Sequence, residues 1–156
     1  MKKIHALPAL PPHSDMARTI AWLYAGVLVV MVIAQLFAFE DFIPLIQNYE
    51  LPGGQGTATL VAGLIVIYEV FAIPFLLRMR LSPLFRWFSL ICGLLVAAVW
   101  AFLAFWATLH SIDLTNSGLL GTKVKVAIGW PQLLITVTLA VLAIASTVGL
   151  WPVRRK

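Results

Sequence analysis

The sequence predicts an all-α fold: a four-helix transmembrane bundle with a short amphipathic helix between helices one and two. Three observations lead there. Of 156 residues, 62% are hydrophobic and only 11% charged, less than half the ~25% charge of an ordinary soluble domain. Four apolar runs, Thr19 to Phe39, Thr57 to Leu77, Trp87 to Leu109 and Val126 to Trp151, each supply the ~20 residues that a helix needs to cross a hydrocarbon core. None is as short as a spanning strand or alternates as one does, so all four read as helices.

Taken in order, residues 1 to 18 read as a flexible cytoplasmic arm, because MKKIHALPALPPHSD is rich in proline and lacks a core-forming pattern. Ser14 or Asp15 offers the first helix its N-cap. The basic front of the first run has the look of a secretory signal, but the apolar part is too long for one and no small-x-small site follows Phe39. Between the first two runs, EDFIPLIQNYELPGGQG places Phe42, Leu45, Ile46 and Tyr49 at helical spacing after an Asp41 cap, and LPGG closes the pattern. This predicts the short amphipathic helix, lying on the outer surface or over the mouth of the bundle. RMRLSPLFR is a tight basic turn, and HSIDLTNSGLLGTKVK, polar and glycine-containing, is expected to be the most mobile ordered link. Residues 19–151 thus form one membrane domain and 152–156 a basic cytoplasmic tail; neither tails nor loops are long enough to bury a second core.

Charge sets the expected orientation. Lys2, Lys3 and Arg18, then Arg78, Arg80 and Arg86, then Arg154, Arg155 and Lys156 fall on one side by parity. The other side has Lys123 and Lys125 and gathers Glu40, Asp41, Glu50 and Asp113. The positive-inside rule then puts both termini in the cytoplasm of a multi-pass cell-membrane protein. The net charge of +5 follows from this asymmetry and suits anionic headgroups of the lipid bilayer, so no nucleic-acid partner is inferred. Trp22, Trp87 and Trp151 lie at the inner ends and Trp106 and Trp130 at the outer ones, where indoles favour the headgroup layer; Trp100 is deeper and is expected to pack inside.

Helices in lipid associate by close packing of small residues. Ala17, Ala21 and Ala25 on the first run form such a stripe, as do Ser89, Gly93, Ala97, Ala101 and Ala104 on the third and Thr136, Ala140, Ala143 and Thr147 on the fourth. Bundle packing accounts for them, and a homodimer through an exposed stripe is compatible with them.

Reactive side chains are few. Cys92 is the single cysteine, which excludes a thiol–disulfide cycle within the chain and suits a packing role. His5, His13 and His110 include no pair at the spacing that puts two metal ligands on one helix face, so no metal or haem site is expected within the chain. No serine–histidine–acid set suggests itself.

Glu69 stands apart, an acid inside LIVIYEVFAIPFLL. An ionised carboxyl at mid-bilayer costs at least ~2.5 kcal/mol, so it should turn inward, be protonated or find a donor. Its own helix offers only Ile65, Val66, Ala72 and Ile73 within a turn. Candidate partners are Gln35 on the first helix, Gln132 and Thr136 on the fourth, and the neighbouring Tyr68. Five residues on, Pro74 frees the Val70 carbonyl and invites a kink. One reading is a hydrogen bond that ties the bundle; the other is a pocket in which Glu69 binds or protonates a ligand.

Three stretches carry a resemblance to the DoxX/MauE family of small four-helix membrane proteins: AQLFAFEDFIPLIQNYELPG, YEVFAIPFLLRMRLSPL and KVAIGWPQLLITVTLAVLAIA. They are similar to the family's end of helix one with its amphipathic segment, its acidic helix two with an arginine-bearing link, and its closing helix, and the likeness spans about residues 19 to 150. Many members carry a lysine near the end of helix one, where this chain has Gln35, which removes a charge partner for Glu69 and favours its neutral form. The resemblance implies a small membrane subunit of an oxidoreductase system, linked in some members to quinone or sulfur chemistry, or a helper in maturing periplasmic redox proteins. The residue inventory offers no redox cofactor site within the chain and suits a subunit or scaffold better than a self-sufficient enzyme. A pocket around Glu69 for a lipid-like or quinone-like ligand or a partner helix is the leading expectation. A quinone-linked oxidoreductase subunit that needs a cofactor-bearing partner is the alternative. A small transporter comes last, because the polar path is thin.

Overall fold

The computed structural model describes residues 12–112 and 114–151. Among these, five helices occur in the order α1 (Asp15–Leu36), α2 (Phe39–Gln47), α3 (Gly54–Leu76), α4 (Pro83–Leu109) and α5 (Trp130–Leu150). All but α2 are long and apolar enough to cross a membrane, so the expected four spans and the short helix after the first are present. The proximal arm (1–11), Asp113 and the tail (152–156) lie outside the described residues.

The helix starts follow capping chemistry. Ser14 caps α1, its Oγ accepting the Ala17 N–H at 3.1 Å. Residues 15–18, read above as arm, are therefore helical. His13 ties the segment down further: its backbone N–H donates to the Gly149 carbonyl at 3.1 Å, and its ring Nε2 lies 2.8 Å from the Trp151 carbonyl oxygen. Ser82 caps α4 through the Phe85 N–H at 3.3 Å, with Pro83 in the first turn, so this helix starts four residues before Trp87. α2 begins at Phe39 without a side-chain cap, which corrects the expected Asp41 cap. Its apolar face is as expected, with Phe42 and Ile46 buried, and Tyr49 follows it into the core.

α3 and α4 both close in the left-handed turn that usually takes glycine. Arg78 (φ 57°) and Ser111 (φ 50°) occupy it. After α3, the N–H groups of Arg78 and Met79 return to the Phe75 and Pro74 carbonyls; after α4, those of Ser111 and Ile112 return to Thr108 and Ala107. This double return satisfies the last carbonyls of each helix.

The spans form a closed ring: α1 packs on α3, α3 on α4, α4 on α5 and α5 on α1, while α2 leans mainly on α3. Small residues set the approach. Ala17, Ala21 and Ala25 are buried, as are Ser89, Gly93, Ala97 and Ala104, whereas Ala101 of the same stripe is exposed. A methyl group at Gly149 would lie 2.6 Å from the Ala17 Cβ, so α1 and α5 touch almost backbone to backbone. Across the diagonal, Tyr24 on α1 donates to the Gly93 carbonyl on α4 at 2.7 Å. Trp100 is fully buried, as its depth predicted.

Ser89 does more than permit close packing. Its Oγ accepts the Phe75 N–H of α3 at 3.0 Å and donates to the Phe71 carbonyl, replacing one rung of the α3 ladder next to Pro74. An inserted side chain and a proline are two recognised causes of a helix bend, and here they coincide.

The link between α4 and α5 departs most from expectation. Val126, taken as the start of the last span, belongs to a folded plug, and α5 starts at Trp130. Within the plug, the Ser117 N–H donates to the Val126 carbonyl at 2.7 Å. The Asn116 Oδ1 accepts from Gly118 and Val126, and its amide donates to the Gly121 carbonyl. Ser117 and Leu119 are fully buried, and a methyl group added at Gly118 would meet Phe42 and Leu45 of α2 at 3.2 and 3.5 Å. At Gly121 (φ 69°) an added methyl would strike the Ala34 carbonyl of α1, so only glycine fits. A segment expected to be mobile is packed into the end of the bundle opposite the termini, because Asn116 satisfies its backbone locally and its leucines find apolar cover.

Candidate functional site

Antiparallel packing decides what Glu69 meets. Every Cα–Cβ bond in a helix leans toward that helix's N-terminus. α1 and α4 start at the end of the bundle that carries the termini and α3 starts at the other, so Gln35 and Trp100 lean one way and Glu69 leans back toward them. Their side chains converge although their Cα atoms lie at different depths. Glu69 has 0% of its surface exposed. Its Oε1 accepts from Gln35 Nε2 at 3.1 Å and, in a longer bond, from Trp100 Nε1 at 3.4 Å. Gln35 also donates to the Leu119 carbonyl of the plug at 3.3 Å.

A second cluster sits beside the plug. Tyr49 donates its phenol to the Ser117 carbonyl at 3.0 Å and accepts from Gln132 Nε2 at 3.1 Å. Trp106 fixes the same residue from below, its Nε1 donating to the Tyr49 carbonyl at 3.0 Å. Burial pushes the Tyr49 phenol up to about 12, against a smaller opposing effect of the Gln132 hydrogen bond. Ser117 and Leu119 are two residues apart, so the plug backbone joins the clusters. The order runs Gln132, Tyr49, plug, Gln35, Glu69, Trp100, and it draws on α5, the α2–α3 link, the plug, α1, α3 and α4.

Of the residues singled out in the sequence, Glu69 and Gln35 are in direct contact, as expected. Gln132 is fully buried but reaches Tyr49 instead of Glu69. Thr136 is buried one turn from Gln132, and its Oγ1 has no hydrogen-bond partner. Tyr68 is half-buried against the core and makes no hydrogen bond to Glu69. Sequence reasoning missed Trp100 and Tyr49 as hydrogen-bonding members of the chain. Depth alone places Trp100 inside and helical spacing places Tyr49, and in both cases the signal for the hydrogen bond is the polar atom of an aromatic ring.

Four buried polar atoms along this chain lack a protein partner: Glu69 Oε2, Gln35 Oε1, Gln132 Oε1 and Thr136 Oγ1. Leaving such a group unpaired costs about 1–3 kcal/mol, so each of these atoms calls for a partner other than the protein's own side chains and backbone. Glu69 can therefore offer a second oxygen while the first stays fixed. Cys92 is buried, as its neighbourhood predicted, and no group of three or more metal-ligating side chains occurs among the described residues. Glu69 is absent from the linings of the cavities at His110, at Gly26 and at Trp87, and it is fully buried beneath its neighbours on α1 and α4. The chain matches no family model, no curated protein and no solved structure.

Proposed function

We propose that the chain is an integral-membrane accessory subunit of DoxX/MauE type that serves a membrane oxidoreductase system, with both termini cytoplasmic. In this reading Glu69 receives the carbonyl or hydroxyl end of a quinone-like or lipid-like molecule. The observation that carries it is the asymmetry of the Glu69 carboxyl, one oxygen held by Gln35 and Trp100 and the other unpartnered. At Gln35 the chain departs from the family's lysine, and the acid is met there by a neutral donor instead of a charge partner. Complete enclosure of Glu69 favours a small molecule over a partner helix, which would have to open the ring.

A second reading is favoured by the same hydrogen bonds: Glu69 as a latch tying α3 to α1 and α4. Glu69→Gln tests the ligand reading with the latch kept. The glutamine keeps a carbonyl oxygen for Gln35 and Trp100 but replaces Oε2 by an amide, so folding should change by less than about 1 kcal/mol. The full chain, purified in mild detergent, should lose its co-purifying quinone or lipid, identified by mass spectrometry. An unaltered small-molecule profile with intact folding rules out the ligand reading; Glu69→Leu, which removes the acceptor of Gln35 and Trp100, should lose folding if the latch holds the bundle.

A further inference from the structure

On the lipid-facing side of α1, Trp22, Leu23, Gly26, Val27 and Val30 lie on one face and line an open apolar groove of about 550 Å³ together with Leu120 of the plug. Gly26 forms the floor: it has no side chain, and an added Cβ would meet nothing within 4 Å. From Trp22 to Val30 the groove runs about 12 Å at 1.5 Å per residue, close to the ~15 Å half-thickness of a hydrocarbon core. A transmembrane helix of a second copy would need a surface about twice that long, whereas one acyl chain of a single leaflet fits.

The open end carries charge. The Arg18 guanidinium lies over the Trp22 ring, 5.8 Å from its centroid. Its ion pair with Asp15 is long, at 3.7 Å, and the Asp15 side chain is almost fully exposed, so the pair contributes little and leaves donors for a phosphate. An indole and an arginine at the headgroup level, beside an open apolar groove about one leaflet deep, match the two parts of a phospholipid.

We infer that this groove is a binding site for one anionic phospholipid of the leaflet on the side of the termini, its phosphate on Arg18 and one acyl chain over Gly26 with its end against Leu120. The site is independent of the role given to Glu69.

The test is native mass spectrometry of the full chain in mild detergent, titrated with phosphatidylglycerol and with phosphatidylcholine of the same acyl chains. One phosphatidylglycerol per chain should bind about fivefold more tightly than phosphatidylcholine, the contribution of a single basic residue at an anionic surface. Arg18→Gln should abolish that preference. Gly26→Leu should weaken both lipids while helical content, read by circular dichroism, is kept, since the new side chain enters open space. An undiminished preference in Arg18→Gln, or unchanged binding in folded Gly26→Leu, overturns the proposal. So does recovery of the wild type as a lipid-free dimer with the groove protected from labelling.

Discussion

Tyr49 and Glu69 are both fully buried, yet they hold their partners differently, and the difference is measurable. Tyr49 uses its phenol as donor and acceptor at once, a pairing that only the neutral form sustains. Its value is raised from 10.0 to about 12 in the folded chain, so the folded state holds its proton more tightly than the unfolded one. Stability should then be flat below pH 10 and fall as the pH climbs from 10.0 towards about 12, by roughly 2 kcal/mol over that window. Denaturant titrations of the wild type and Tyr49→Phe across that range check the sign: the variant should show the shallower decline. At this scale the sequence was informative wherever polarity itself is rare. Glu69, Gln35 and Gln132 stand out because an acid or amide inside an apolar run is costly. Tyr49 and Trp100 did not, because an aromatic ring counts as apolar until its single N–H or O–H is traced to a partner.

Whole helices were legible to within a few residues, since a run long enough to cross the bilayer admits only one backbone solution. The ends were less so. α4 gained its first turn from Ser82 and Pro83, and α5 lost the residues of the plug. The plug escaped because glycines, a serine and an asparagine between two spans signal a surface link, and nothing in one dimension shows that Asn116 satisfies its backbone from within. The contact of α1 with α5 makes the packing between elements testable. Gly149→Ala sets a methyl 2.6 Å from the Ala17 Cβ and should cost about 1–3 kcal/mol through displacement of the helices. Ala17→Gly in the same chain should restore most of that loss, less about 1 kcal/mol for glycine inside a helix. Thermal unfolding in detergent of the two single variants and the double variant measures the coupling; additive losses would show that the helices do not touch there.

For the whole molecule, the ring of four spans places the α3–α4 turn at the end where α1 starts and α5 finishes, and the α2 region and plug at the other, as four crossings require. Cysteines introduced at Arg80 and at Lys125, both exposed, should differ in intact cells: a membrane-impermeant maleimide should label Lys125→Cys directly and Arg80→Cys only after permeabilisation. Native Cys92 is buried and should stay silent. Labelling of both from one side would refute an even number of crossings. The ring also gives the chain a timetable. Leu119 and Gly121 seat against residues of α1, and Gly118 seats against α2, all made long before them, while Gln132 is made after. Assembly during synthesis must therefore leave the mouth unfilled until the third span has been threaded, and the inserted segment acts as a keystone. It is dropped in late, from the far side, and only then does Gln35 acquire the second acceptor that steadies its hold on the acid.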